Sequence, residues 1–286
     1  MKPSWALDKR DPSFIEFLFP FWDWMYNNYF KVKSDGWSNI PKEKVLLVGS
    51  HNGGLSSPDL QMIMYDWYRR FGTERPVYGL MHEKMWEGMP GIAYLVQKLG
   101  GIAAHPKVAM QAFEKGASIL VFPGGSQDVF RPFSEWDKIQ FADRKGFIKL
   151  ALKESVPIVP IVTVGAHHTL IVLGDLYPVL KQLNNAGMPW PFGIEPEVYP
   201  LFIGAPWGLC AGPMLNIPFP VPIYTRVCSP IDLSKEGNQA LWNDKEFVDH
   251  CYHKVKNEMQ QQLDKLIEDS VYRKSLAGVP SLRLNF

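Results

Sequence analysis

The sequence contains little cysteine, and its three cysteines, Cys210, Cys228 and Cys251, are widely separated. Their number is odd, and no CxxC pair or paired Cys/His spacing occurs, which argues against a zinc motif and against a disulfide framework. We therefore expect no metal site and a reducing compartment. The first ten residues mix charged and polar side chains and lack the apolar core of a signal peptide.

An excess of charge of one sign is also missing, since 30 Lys and Arg residues stand against 29 Asp and Glu. Proteins that bind nucleic acids usually carry a clear basic excess, so the balance argues against a nucleic-acid partner. The sequence has no Walker loop, no dinucleotide-binding fingerprint and no GxSxG nucleophile elbow. We therefore expect no bound cofactor, and the missing elbow weakens a serine-hydrolase interpretation.

Aromatic residues, in contrast, are abundant and form two clusters, Phe14 to Phe30 and Pro189 to Tyr224. Within the second cluster, Val198 to Thr225 carries no charge and is long enough to span a bilayer, but six prolines and three glycines argue against a spanning helix. Trp and Tyr favour the membrane interface, so both clusters are suited to rest on a bilayer. Burial in a core or in the wall of an apolar pocket explains them equally well.

Strand-like and helix-like segments alternate from about Lys44 onward. The predicted strands cover 44–50, 76–81, 101–104, 118–122, 156–164 and 221–228, and the predicted helices begin near 57, 91, 106, 143 and 244. This alternation predicts a mainly parallel sheet covered on both faces. The two prolines of segment 156–164 predict a position at the start or edge of that sheet. The last helix, Asp244 to Lys274, is long and amphipathic, so we expect it to pack back across the domain.

A histidine and a carboxylate flank a turn rich in glycine and serine, SHNGGLSSPD, over residues 50–59. His51 follows the first predicted strand, and Asp59 lies in the first turn of the next helix, which Ser57 is expected to cap. An aspartate hydrogen-bonded to one imidazole nitrogen fixes the tautomer and leaves the other nitrogen free to accept a proton. The pair is therefore a candidate catalytic base, although such a pair in a loop is more often structural.

A second motif, Phe122-Pro123-Gly124-Gly125, directly follows the strand predicted over 118–122. Consecutive glycines leave backbone N–H groups that can approach a ligand or an oxyanion closely. A plain tight turn is the alternative, because Pro-Gly-Gly is common in turns.

Taken in order, the motifs resemble the glycerolipid (lysophospholipid) acyltransferase superfamily, and most nearly its diacylglycerol-acyltransferase-like and bacterial glycerol-acyltransferase-like branch. Four blocks carry the resemblance over Lys44 to Leu233: the histidine and following aspartate, LGGIAAHPKVAMQAFEKGASILVFPGG, RKGFIKLALKESVPIVPIVTVGA, and IPFPVPIYTRVCSPIDL. The resemblance implies an α/β fold like that of glycerol-phosphate acyltransferase, with a mainly parallel central sheet flanked by helices. From the aromatic cluster we expect an amphipathic, interfacial N-terminal helical segment over 1–40, followed by an acyltransferase domain, with the long C-terminal helix, over 41–286.

The resemblance also implies a reaction, in which an acyl chain passes from a thioester donor to the hydroxyl of a lipid-like acceptor. His51 takes the place of the general base and Asp59 that of the residue orienting it. The segment 122–125 matches the acceptor-binding block, and Arg131 and Arg144 are expected to hold a phosphate or the donor. The donor, acyl-CoA or acyl carrier protein, is a co-substrate and not a cofactor. A peripheral position on the cytoplasmic face of a membrane is expected as well.

Two departures from the family pattern qualify these expectations. Ser56 occupies the usual aspartate position, so Asp59 serves only if the longer loop bulges and still delivers its carboxylate. No arginine occurs in GIAAHPK or FPGGSQD, which favours a neutral or zwitterionic acceptor over a phosphomonoester unless Lys107 or Arg131 compensates. Two alternatives stay open: a non-catalytic lipid-binding protein of the same fold, and an acyl ester or thioester hydrolase. The sequence gives neither the acyl chain length nor the oligomeric state.

Overall fold

The computed structural model describes residues 5, 7–83, 86, 90–237 and 239–269. The strands in these ranges are β1 Lys33–Asp35, β2 Leu46–Gly49, β3 Val77–Met81, β4 Gly101–Ala103, β5 Ser118–Val121, β6 Ile158–Val164, β7 Ile171–Asp175, β8 Pro200–Gly204, β9 Gly208–Ala211 and β10 Tyr224–Val227. The α-helices are α1 Pro12–Phe17, α2 Phe19–Trp24, α3 Pro58–Phe71, α4 Pro90–Lys98, α5 Pro106–Glu114, α6 Gly125–Val129, α7 Gly146–Glu154, α8 Tyr177–Asn185 and α9 Lys245–Glu268.

Seven strands form the main sheet in the order β1-β10-β6-β2-β5-β3-β4. The five strands from β6 to β4 run parallel, whereas β10 is antiparallel to β6 and parallel to β1. The predicted α/β class with a mainly parallel sheet is confirmed. A second, antiparallel sheet, β7-β8-β9, lies partly within the charge-free stretch, whose structure the sequence left open.

Apolar side chains cover both faces of the main sheet. On β2, Leu46 and Val48 join one core with α5, α7 and α9, and Leu47 joins the other core with α3 and the N-terminal helices. Successive side chains of a strand point to opposite faces, so this alternation places a core on each side of the sheet. Burial on both faces explains why these strands are continuous apolar runs.

The strand containing Pro160 lies inside the sheet, between β10 and β2, so the predicted edge position is wrong. The backbone there provides the reason. The pairing of β6 with the chain beside it shifts by one residue between the Ile158–Ile231 bridge and the Ile161–Val227 pair. Pro160 lies at this shift. The Pro160 carbonyl accepts a hydrogen bond from Cys228 N at 2.9 Å. The N–H that proline lacks would point to the same side of β6 as this carbonyl, toward β10. The ladder of hydrogen bonds with β10 is already interrupted there, so the proline costs the sheet no hydrogen bond.

Ser57 precedes α3 as expected, but its side chain does not cap the helix. Its backbone is left-handed, with φ 45° and ψ 55°, whereas a capping residue is normally extended. The Ser57 hydroxyl instead donates to the Gly54 carbonyl at 3.3 Å. The carboxylate of Asp59 accepts from Leu60 N at 2.7 Å and so satisfies one of the free N–H groups of the first turn.

The N-terminal aromatic cluster forms α1, α2 and a π-helical turn, Met25–Tyr29. Ile15, Trp22 and Tyr26 are buried and pack with α3 in the core. Tyr26 also donates to the buried carboxylate of Asp66 at 2.8 Å. None of the helices in the described ranges has the length and apolar character needed to cross a membrane.

The long helix α9 begins after Asp244, whose side chain accepts from Phe247 N at 2.8 Å. Its buried stripe packs against β6 and α7 and contains Val248, Cys251, Val255, Met259, Leu263 and Leu266. The predicted C-terminal end, 270–274, lies outside the described residues. The helix therefore closes one face of the sheet, as its amphipathic pattern indicated.

Met259 tests the contribution of this helix to stability, because its side chain is fully buried in that core. Met259→Ala should lower the free energy of unfolding by about 2–5 kcal/mol, the usual cost of such a cavity. Gln261→Ala, an exposed position on the same helix, should change it by about 0.5 kcal/mol or less. Urea denaturation measures both variants, and equal stabilities would show that α9 does not pack as described.

Candidate active site

The candidate site lies where three neighbouring parallel strands end. His51 follows β2, Phe122 follows β5, and His167 follows β6, and β2 lies between the other two strands. The carboxyl ends of parallel strands meet at one edge of a sheet, which is where open α/β folds form their sites. The topology therefore brings together side chains that are far apart in the sequence.

The structure brings His51 and Asp59 together. His51 Nδ1 lies 3.4 Å from Asp59 Oδ2, a long hydrogen bond, and Asp59 is fully buried while the His51 side chain is 17% exposed. The same Oδ2 accepts from Asn52 N at 2.6 Å, which fixes the carboxylate. Within the described part of the chain, His51 Nε2 has no hydrogen-bond partner. Nε2 is thus available to accept a proton, although the catalytic role of the pair stays a prediction.

The loop between the two residues bulges, as the longer spacing requires. Gly53 and Gly54 have φ values of 82° and 68°, and a 3-10 turn follows over Gly54–Ser56. A Cβ at Gly53 would lie 2.5 Å from the Pro58 ring, so only glycine fits this turn. The extra residues form the bulge, and the start of α3 still presents the Asp59 carboxylate to His51.

The Phe122 ring stacks on the His51 ring, with centroids 4.5 Å apart and an interplanar angle of 19°. Gly49 makes room for that ring, because a Cβ there would lie 2.5 Å from Phe122 Cε1. Pro123 and Gly124 are buried, and the Gly125 N–H donates to the Phe122 carbonyl oxygen at 3.2 Å. The Gly125 N–H therefore closes the turn, and only Phe122 and Gly125 of this block are partly accessible.

A buried ion pair holds the backbone of His51 on both sides. The Asp128 carboxylate accepts from His51 N at 2.5 Å and pairs with Arg131 Nη1 at 2.6 Å. Arg131 Nη1 also donates to the His51 carbonyl at 3.0 Å, and Arg131 Nη2 donates to the Asn52 side-chain oxygen at 2.7 Å. Ser50 Oγ completes the set by donating to Asp128 at 3.2 Å. Sequence reasoning assigned no role to Asp128.

Burial raises the pKa of Asp128 to about 6, against the opposing effects of Arg131 and the His51 N–H, so the carboxylate is ionised at neutral pH. Arg131 is only 3% exposed, and its guanidinium binds Asp128, His51, Asn52 and the Glu135 carbonyl. The expectation that Arg131 contacts substrate is not supported by this placement, because the group is buried and engaged. It positions the loop that carries His51.

Arg144 lies against the glycine turn, as the expectation of a substrate contact requires, and its side chain is 40% exposed. Its Nη1 donates to the carbonyls of Pro123 and Gly124 at 3.3 and 3.2 Å, and its Nη2 pairs with Glu197. A Cβ on Gly125 would lie 2.3 Å from Nη1, so the glycine permits this contact. Binding of substrate by Arg144 stays a prediction.

Two further histidines, His167 and His168, follow β6 and contact the segment after Arg131. His167 Nε2 lies 3.2 Å from the Pro132 carbonyl, and because a carbonyl only accepts, the proton is assigned to Nε2. Burial, assisted by the charge of Arg131, lowers the pKa of His167 well below its usual value and that of His168 to about 4. Both are therefore neutral at pH 7. Across the described ranges, no three His, Cys, Asp or Glu side chains converge as a metal site requires.

A family model described as Acyltransferase matches residues 31–164 of the chain. An uncharacterized protein of Mycobacterium leprae is 27% identical over 75% of this chain and 57% of its own length. The DGAT1/2-independent enzyme synthesizing storage lipids of Gallus gallus is 26% identical over 67% of this chain and 56% of its own. The 2-acylglycerol O-acyltransferase 3 of Homo sapiens is 26% identical over 65% and 48%. The chain thus spans about half the length of these curated relatives.

Among solved structures, the 1-acyl-sn-glycerophosphate (LPA) acyltransferase PlsC from Thermotoga maritima is similar to this chain with a TM-score of 0.46. The alignment covers 86% of this chain and 78% of that structure, at 16% sequence identity.

The buried ion pair generates a stability prediction. Arg131→Met should lower the free energy of unfolding by about 3–5 kcal/mol, because it leaves the buried Asp128 carboxylate without a counter-charge. Arg144→Met, at a partly exposed ion pair, should change it by about 1 kcal/mol or less. Chemical denaturation at pH 7 measures both, and an Arg131→Met protein as stable as Arg144→Met would contradict the role given to Arg131.

Proposed function

We propose that this chain is an O-acyltransferase of the glycerolipid acyltransferase superfamily, which moves a fatty acyl chain from a thioester to a lipid hydroxyl. One observation carries the proposal. The imidazole of His51 lies beside the buried carboxylate of Asp59 at the carboxyl edge of the sheet, within the segment that the family model matches.

In the proposed reaction His51 acts as the general base. The Nδ1–H of His51 donates a hydrogen bond to Asp59, which keeps the proton on Nδ1 and leaves the lone pair of Nε2 for the acceptor hydroxyl. As Nε2 takes the hydroxyl proton, the acceptor oxygen attacks the thioester carbonyl carbon. Collapse of the tetrahedral intermediate breaks the C–S bond, and the imidazolium returns the proton to the leaving thiolate. No acyl-enzyme forms in this sequence of steps, so no nucleophilic serine or cysteine is needed.

For the acceptor we propose a neutral glycerolipid with a free hydroxyl. The region after the LGG segment and the FPGG block contain no arginine, which is the side chain best suited to hold a phosphomonoester in a bidentate contact. Arg131 does not compensate, because its guanidinium is buried against Asp128. The names of two relatives, which refer to storage lipids and to 2-acylglycerol, are consistent with this choice.

For the donor we propose an acyl thioester of coenzyme A or of acyl carrier protein, bound beside Phe122 and Gly125. Arg144 is the accessible cation at this turn, and its pairing with Glu197 keeps it there before a substrate arrives. Exchange of the Glu197 carboxylate for a substrate phosphate would preserve the charge balance of the guanidinium.

Substitution of His51 tests the catalytic role directly. His51→Ala should lower the rate of acyl transfer by about 100- to 10,000-fold, the usual contribution of a general base, while the melting temperature stays near that of the parent. Asp59→Asn should also lower the rate, because an amide no longer favours the proton on Nδ1. His253→Ala, an exposed histidine on α9, is the matched control and should keep full activity. Full transfer by His51→Ala would refute the assignment.

The acceptor assignment is tested with labelled acyl-CoA and a panel of lipid alcohols, read by mass spectrometry. Monoacylglycerol or diacylglycerol should be acylated faster than lysophosphatidate, because Arg131 is buried against Asp128 and Arg144 is assigned to the donor. Preferred use of lysophosphatidate would contradict the neutral acceptor. Release of free fatty acid with no transfer product would instead indicate a hydrolase, and no turnover of any donor would favour a lipid-binding protein.

A further inference from the structure

A cavity of about 390 Å³ opens between the first turns of α7 and α9. That volume lies in the range of roughly 300–1,000 Å³ that is usual for small-molecule sites. Its charged lining residues are three lysines and one aspartate, Lys145, Lys149, Lys245 and Asp249. Lys145 Nζ pairs with Asp249 at 2.9 Å and with Asp143 at 3.2 Å, so this ammonium group is already paired.

The other two lysines are not paired with carboxylates in the described part of the chain. Lys149 Nζ donates to the side-chain oxygen of Asn243 at 2.9 Å, and this amide oxygen is neutral. Lys245 is exposed at the first position of α9. Two unpaired ammonium groups therefore line one cavity, and an anionic group with several oxygens is the ligand that can bind both.

The cavity adjoins the candidate active site through Arg144. Arg144 Nη1 donates to the Gly124 carbonyl in the glycine turn at 3.2 Å. Lys145 is the next residue, so the Cα atoms of Arg144 and Lys145 are about 3.8 Å apart. Because α7 leads directly into β6, its first turn lies at the carboxyl edge of the sheet, where His51 also lies. The cavity is thus beside the proposed base and separate from it.

We propose that this cavity binds the phosphates at the nucleotide end of coenzyme A, while the thioester end of the same donor reaches His51. The proposal rests on the proposed function and chooses between the two donors which that function leaves open. Coenzyme A carries a 3′-phosphate and a diphosphate at one end of a flexible pantetheine arm, and the acyl thioester at the other. A donor of this shape needs a cationic site beside the base, and Lys149 and Lys245 provide it.

The surroundings of the two lysines favour a small phosphorylated ligand over the acidic surface of a carrier protein. A stable protein interface covers about 800 Å² on each partner, whereas the unpaired lysines here are confined to one concave cavity. The side chains of Asp143 and Asp249 are 77% and 35% exposed beside it. Carboxylates of a docked protein would be repelled by these two groups, whereas a phosphate can enter between the lysines.

Binding of adenosine 3′,5′-bisphosphate, which represents the nucleotide end without the arm, tests the proposal without acyl transfer. Isothermal titration calorimetry of the full chain should show binding. Lys149→Gln/Lys245→Gln should weaken it by about tenfold or more, because two charge-assisted contacts are lost. Lys115→Gln is the matched control and should bind like the parent, since this exposed lysine follows α5 at the opposite edge of the sheet.

Steady-state kinetics then show which part of the donor the lysines contact. The double variant should raise KM for acyl-CoA by about tenfold or more and change kcat by less than about twofold, as expected when ground-state and transition-state binding are lost equally. KM for S-acyl-pantetheine, which has no nucleotide, should stay at the value of the parent. An equal rise in both KM values would overturn the proposal, because the lysines would then act on the arm or on the fold.

Circular dichroism shows whether the double variant is folded, and the single variants Lys149→Gln and Lys245→Gln replace it if it is not. Unchanged binding of the bisphosphate in the folded variant would overturn the proposal, and so would inorganic phosphate binding as tightly as the bisphosphate. A raised KM for acyl carrier protein alone, with no binding of the bisphosphate, would make the cavity a protein-docking surface. Normal binding of the bisphosphate with no acyl transfer by the parent would refute the proposed function alone.

Discussion

The buried Asp128–Arg131 pair holds the peptide of His51 from both sides, with the carboxylate on its N–H and the guanidinium on its C=O. Burial of two charges is costly unless each is paired and hydrogen-bonded, and here several of the hydrogen bonds run to Ser50, His51 and Asn52. Movement of the loop would break hydrogen bonds to both members of this buried pair. The backbone of His51 is thus fixed by the ion pair, and Phe122 and Asp59 orient its imidazole ring.

Much of the fold follows from local patterns in the sequence. The apolar runs at Leu46–Gly49 and Ser118–Val121 and the helices between them were predicted because strand and helix periodicities there are unmixed. Pro160 made the prediction of an edge position wrong. A proline excludes an interior strand only where the neighbouring strand needs its N–H for a hydrogen bond, and the pairing of β10 with β6 stops at Ile161. The small sheet of β7 to β9 was not foreseen because prolines and glycines obscure the alternation of its strands.

In the candidate site, too, the contacts between residues close in the sequence were predictable and the long-range contacts were not. The pairing of His51 with Asp59 was predicted from positions eight residues apart, within one strand–loop–helix unit. The role of Asp128 depends on a contact across 77 residues, and only the topology that sets β5 beside β2 creates it. The family resemblance predicts Arg131 as a substrate ligand, because a sequence does not distinguish a buried cation from an exposed one. Its spacing of three residues from Asp128 was the available signal of an internal pair.

The anchoring of Asp59 at the start of α3 has a consequence for how such sites vary. The carboxylate accepts from Leu60 N in α3 and from Asn52 N, directly after His51, and the Asp128–Arg131 pair holds the His51 backbone. None of these contacts comes from residues 53–58. The positive φ angles of Gly53, Gly54 and Ser57 let the surplus residues form a bulge. The longer spacing therefore leaves the imidazole of His51 and the carboxylate of Asp59 within 3.4 Å of each other. A pattern that counts residues between histidine and aspartate would pass over proteins in which the two atoms still meet.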